Sequence, residues 1–252
     1  AQIIALLWQF KLFSNRNGCH HFHRGIFRLK RKSVVDSLAI GMSPFLMNMA
    51  ACFIVILINQ GLKRHGVDLA IGAFGIVNRL VYIVVMIVMG LNQGMQPIAG
   101  YNYGAQLYQR VTKVLKLTIV YATVVTTFGF VVGMAVPRLV VSIFTSDAEL
   151  IDLSARGLRI IVMFFPIIGF QMVTANFFQS IGMAGKAIFL SLSRQLLILL
   201  PCLLILPHFF GALGVWISMP VSDLLASIIA AVMLLLQFRK FHKAAARQSL
   251  SV

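Results

Sequence analysis

The chain has 252 residues, 60% of them apolar and only 11% charged, where an ordinary soluble domain carries about 25% charged residues. A surface this apolar cannot be hidden from water, so lipid must be part of the solvent, and a soluble globular fold is excluded. Lys and Arg number 22 against 6 Asp and Glu, a formal net charge of +16, which would suit nucleic acid but for the way the charge is distributed.

The opening AQIIALLWQF is half of a membrane span, since a crossing helix needs about 20 apolar residues. The expectation is that residues 1–13 end a truncated helix of a longer protein, with no signal-peptide pattern. A basic loop, 14–33, follows. Its CHHFH (19–23) has the look of a metal cluster, but it lies among Arg and Lys with no carboxylate before Asp36. It reads as a solvated cationic loop, and no metal is expected. Six apolar stretches then run over 34–60, 69–96, 114–136, 157–181, 187–208 and 214–237. Residues 34–238 are therefore expected to form an all-α, six-helix transmembrane lobe, and 239–252 a basic tail. Cys19, Cys52 and Cys202 are scattered and show no disulfide framework or CxxC pair.

The connections alternate in charge. The 14–32 loop, the 99–113 and 183–186 connections, the tail and the adjoining helix ends hold 15 of the 22 Lys and Arg; the opposite side holds 5. The positive-inside rule places loop 14–33 and the C-terminus in the cytoplasm of a plasma (inner) membrane protein. The basic charge is thereby explained as topology, and no nucleic-acid partner is expected.

Polar groups at membrane depth are costly and tend to mark pathways or interhelix contacts. Here they are mostly amides: Asn48, Asn78, Asn92, Gln93, Gln96, Gln171, Asn176, Gln179 and Gln195. Gln171, Thr174 and Gln179 fall on one broad helical side. A single amide reads as interhelix glue; the set reads as a polar cavity. Three intramembrane charges stand apart, Arg79, Arg194 and Asp223, and depth along the spans allows an Arg79–Asp223 pair. Pro44, Pro166, Pro201 and Pro220 can bend their helices. No HExxH, GxSxG, P-loop or GxGxxG occurs, so an enzyme is not expected.

The segment NQGMQPIAGYNYGA (92–105) closely resembles the stretch after the eighth helix of the multidrug and toxic compound extrusion (MATE) transporters. LAIGMSPFLMNMA (38–50), AIGAFGIVNRL (70–80), FTSDAELI (144–151), FFQSIGMAGKA (177–187), SRQLLILLP (193–201) and FGALGVWISMPVSDLLA (210–226) are similar to further parts of the same half. The resemblance implies helices seven to twelve of a twelve-helix fold, preceded by the end of helix six. It implies export of drugs and organic cations in exchange for protons or sodium by alternating access, with no cofactor beyond the coupling ion and with the missing N-terminal lobe as partner. Asn48, Asn78, Tyr82, Gln171, Thr174 and Asn176 are the expected cavity lining. Gln93, Gln96, Pro97, Gly100 and Gly104 form an expected gate at the helix end: Pro97 stops the amide ladder, and the glycines allow a tight turn and close approach. One sodium-coupled branch has carboxylates in helices seven and ten, where this chain has Asn48, Gln171 and Asn176, so the essential acid is expected on the missing half. A lipid or glycolipid flippase of the related superfamily and a non-transporting truncated fragment are the alternatives.

Overall fold

A computed structural model describes residues 31–64 and 68–249, with scattered helical positions before residue 12. The CHHFH segment, most of loop 14–33, and the side chains of Asp36 and of 242–252 lie outside the described residues. Two compact units are present, Ala1–Leu46 and Met47–Val252, and the second holds the hydrophobic core. Every described element is helical: α1 (Arg31–Arg64), α2 (Asp68–Gly104), α3 (Tyr108–Ala135), α4 (Pro137–Ser142), α5 (Ala148–Val162), α6 (Phe165–Ser180), α7 (Ala184–Leu192), a π-helix (Ser193–Leu199), α8 (Leu200–Phe210) and α9 (Ala212–Ser249).

Among the described residues, four helical stretches are long and apolar enough to cross a bilayer: Leu69–Gly104, Tyr108–Ala135, Ala184–Phe210 and Ala212–Phe241. α5 and α6 together make a fifth, bent by 56°. The stretch read as a span over 34–60 lies within α1, whose described apolar part is Asn48–Lys63.

The breaks have local causes. Pro166 stands in the first turn of α6, and without an N–H it cannot continue the ladder from α5. The ladder restarts when Ile168 N–H donates to Phe164 O at 3.3 Å. Pro137 likewise opens α4 after the break at Val136. Asp147 caps α5, accepting from the Glu149 and Leu150 amides at 2.9 and 3.3 Å, while Glu149 in the first turn and Arg159 in the last complement the helix dipole.

Two turns at one end of the lobe share one geometry. After α6, Gly182 (φ 76°) donates to Gln179 O and Met183 to Phe178 O. After α2, Gln106 (φ 58°) donates to Tyr103 O and Leu107 to Asn102 O. Both are Schellman caps, in which the residue after the helix is left-handed. The expectation for Gly104 is thus corrected: it sits inside the last helical turn, and the left-handed position falls on Gln106. Pro97 is corrected too, because α2 runs through it to Gly104. A proline withdraws one amide; later residues keep theirs, as Ala105 N–H to Tyr101 O at 3.0 Å shows.

Two apolar clusters hold the unit together. One lies toward the Pro137 end and gathers Ile58, Phe74, Val77, Leu158, Phe165 and Trp216. The other lies toward the Gly104 end and gathers Val88, Leu115, Phe177, Phe178, Leu190 and Leu234. α3 crosses closely on α6: a Cβ at Gly169 would sit 2.9 Å from Ala122 O and 2.8 Å from Thr126 Oγ1.

Candidate functional site: a polar layer and an exposed stripe

Between the two apolar clusters α6, α9 and the π-helix segment turn polar. α6 passes from Ile168 through Gln171 to Val173, and α9 passes from Trp216 through Ser218, Ser222, Asp223 and Ser227 to Ala230. Between Leu190 and Leu199 stand buried Ser193 and the partly buried Arg194 and Gln195. The result is a buried polar layer across the lobe.

Most of its hydroxyls are satisfied by their own helix. Thr174 donates to Phe170 O at 2.8 Å, Ser218 to Gly214 O at 2.7 Å, Ser227 to Asp223 O at 2.6 Å and Thr126 to Ala122 O at 2.9 Å. Such back-bonding allows hydroxyls to lie in an apolar interior without interhelix partners. The charges are satisfied across helices: Arg194 Nε donates to Asp223 Oδ1 at 2.6 Å. The π-helix carries Arg194 on a turn of five-residue bonds, seen where Leu200 N–H reaches Gln195 O, and this turn packs against α9. The Arg79–Asp223 pair allowed by depth is therefore corrected. Arg79 lies on an exposed face of α2, and Asp223 is closed off by Arg194.

Three amides keep unsatisfied atoms. Gln171 Oε1, Gln195 Oε1 and both polar atoms of Asn92 are buried without a protein partner. Such groups cost about 1–3 kcal/mol each, so Gln171 and Gln195 leave the layer with hydrogen-bonding capacity that packing alone does not use, while Asn92 lies among Val88 and Met95 of the Gly104-end cluster.

The expected cavity residues divide. Gln171 and Thr174 lie inside the polar layer, while Asn48, Asn78 and Tyr82 are exposed. Gln179, placed with Gln171 by helical spacing, is exposed at the end of α6. Asn78, Arg79, Tyr82, Met86, Met89 and Gln93 form one exposed stripe along α2 at three- and four-residue spacing. The flank beside it, with Ile83 and Ile87, is pure hydrocarbon.

Asn176 and the expected gate residues meet. Gln96 Nε2 donates to Asn176 Oδ1 at 3.4 Å, and one turn further a Cβ on Gly100 would lie 3.0 Å from Ser180 O. The matched spacing shows that α2 and α6 run parallel here. Gln93 and Pro97 are exposed. Sequence reasoning missed Lys186, read only as a loop charge: its Nζ donates to buried Gln237 Oε1 at 2.8 Å and lies 5.2 Å from the Phe178 ring centre. The i to i+51 separation left no local signal for that contact.

The MatE family model matches residues 39–204, about two thirds of the sequence. The chain belongs to the MatE family. It is 26% identical over 200 residues to the multidrug export protein MepA of Staphylococcus aureus (strain MSSA476), covering 79% of this chain and 44% of that protein. It is 24% identical over 227 residues to MepA of Staphylococcus haemolyticus (strain JCSC1435), covering 90% and 50%. Among solved structures it superposes on the MATE multidrug transporter DinF-BH, solved in a complex, with a TM-score of 0.77 at 35% identity, over 92% of this chain and 52% of that one. A MATE structure in the bent conformation shares the fold at a TM-score of 0.84 and 19% identity, over 97% and 55%. This MatE chain spans about half the length of the curated relatives it matches. It is an integral membrane protein of that family.

Proposed function

We propose that the chain is the C-terminal half of an ion-coupled antiporter that exports drugs and organic cations by alternating access, working against a separate N-terminal six-helix lobe. The observation that carries this reading is the exposed stripe on α2. Asn78, Tyr82 and Gln93 face outward beside bare hydrocarbon at Ile83 and Ile87. Amides turned toward lipid are costly, so such a stripe belongs against a second protein surface or a water-filled cavity. Met86 and Met89, on the same stripe, offer adaptable apolar surface to ligands of varied shape. Arg79 is the stripe's one charge, and an amide-rich wall suits drugs better than the anionic heads a flippase must carry.

The coupling ion, a proton or sodium, would bind mainly on the other lobe. Asp223, the acid in the polar layer, is held by Arg194, and the expected acidic positions hold Asn48, Gln171 and Asn176. Loop 14–33 and the tail would face the cytoplasm of the plasma membrane, as their positive charge requires.

The test is efflux of a fluorescent organic cation from cells lacking their own pumps. The 252 residues alone are compared with the complete reading frame, each with and without a proton or sodium gradient. Gradient-dependent efflux only from the complete frame supports the reading. No efflux from either, with both inserted in the membrane, overturns it.

A further inference from the structure

We infer that the end of the lobe opposite the Gly104 turn carries a binding site for the phosphate of an anionic phospholipid, apart from any transport pathway. A cavity of about 500 Å³ opens there between the end of α3, the short helix α4 and the charged face of α5. Its lining includes three guanidinium groups, Arg138, Arg156 and Arg159, and one carboxylate, Asp152. Arg138 Nε lies 3.0 Å from Asp152 Oδ1. Arg156 and Arg159 have no carboxylate within ion-pair distance among the described residues. The other acids of this segment do not cancel them: Asp147 is engaged in capping α5, and Glu149 lies a turn away from the lining. Arg156 and Arg159, three residues apart, project from one face of α5, and a planar guanidinium fork matches phosphate oxygens in a two-point contact.

The rim identifies a lipid. α4 buries Pro137 and Val141 and turns Leu139 outward at 67% exposure; Ile143, just beyond it, is 77% exposed. Val136 and Leu139 themselves line the cavity mouth. A soluble anion needs only the arginines. A phospholipid uses both features, its phosphate on the guanidinium pair and its glycerol and upper acyl chain along the apolar rim, at the depth where the crossing helix α3 ends. Asp152 serves to hold Arg138 in place and keeps the site from being more strongly cationic.

The protein, expressed from its complete reading frame and purified in a maltoside detergent, is titrated with phosphatidylglycerol, phosphatidylcholine or millimolar inorganic phosphate while thermal unfolding is followed. Phosphatidylglycerol is expected to raise the melting temperature in a saturable way, and the other two are not. In the R156Q/R159Q variant the phosphatidylglycerol half-point should rise about tenfold or more, with the lipid-free melting temperature unchanged. D152N, which frees Arg138, should lower the half-point. Equal protection by phosphatidylcholine overturns the inference, as does protection by phosphate alone, which would mean a free-anion site. An unmoved half-point in R156Q/R159Q overturns it as well. If that variant does not fold, D152N decides alone, and an unchanged or weaker response to phosphatidylglycerol overturns the site. None of these readouts depends on transport.

Discussion

Arg194 and Asp223 form an ion pair of 2.6 Å between the π-helix and α9, with the Asp223 side chain almost fully buried and that of Arg194 about one third exposed. Two charges so placed hold one another in a polar layer whose hydroxyls are otherwise satisfied locally. Removing one of them leaves the other uncompensated, which costs about 3–5 kcal/mol in buried pairs. Asp223→Asn and Arg194→Gln should each strongly lower the yield of monodisperse protein in detergent. The double variant should recover most of it, because the amide pair carries no net charge. Additive losses in the double variant would show that the two side chains do not act as a pair.

The two Schellman turns differ in one respect that can be measured. Gly182 adopts its positive φ without strain, whereas Gln106 does so with a Cβ, at a cost of about 1 kcal/mol. Gln106→Gly should stabilise the protein by up to about 1 kcal/mol, and Gly182→Ala should destabilise it by a similar amount. Thermal unfolding in a fixed detergent reads both, and a lower melting temperature for Gln106→Gly would contradict the turn geometry.

Gly169 lies against the Ala122 backbone as well as the Thr126 side chain, which is itself hydrogen-bonded to Ala122 O. A methyl group there meets Ala122 O at 2.9 Å and Thr126 Oγ1 at 2.8 Å, so α3 and α6 must separate. Gly169→Ala should cost about 1–3 kcal/mol. Gly104→Ala, with no atom within 4 Å of the added carbon, should cost almost nothing. Comparable melting temperatures for the two variants would show that the crossing is looser than these distances imply.

Gln96 and Gly100 face α6 one turn apart and separate two kinds of effect. Gln96→Leu removes the hydrogen bond to Asn176 and should reduce efflux while membrane insertion and yield stay near wild type. Gly100→Leu must displace the α6 end at Ser180 O and should reduce both. Gradient-driven efflux, normalised to protein in the membrane, makes the comparison. Loss of efflux from Gln96→Leu only in proportion to lost protein would remove the gate reading.

The sequence by itself determined that this chain is helical and lives in lipid, because an apolar fraction of 60% with long uninterrupted runs permits little else. Its prolines marked only some of the breaks: Pro137 and Pro166 open new helices through their missing amides, whereas Pro97 and Pro220 lie inside the unbroken α2 and α9. The residues that carry family likeness were legible as well, in the run from Asn92 to Ala105. Tertiary structure decided everything that depends on which faces meet. Periodicity showed that Gln171 and Thr174 share a side of α6, and only packing placed them in the polar layer while leaving Asn78 and Tyr82 outside it. Depth along the spans pointed Asp223 to Arg79. Packing of the π-helix against α9 brought Arg194 to it instead, a contact between residues 29 apart that spacing within either helix does not contain. The left-handed residue after α2 is Gln106 and not Gly104 for a related reason: the turn is fixed by where Leu107 finds Asn102 O, a bond that the local preference of glycine does not encode.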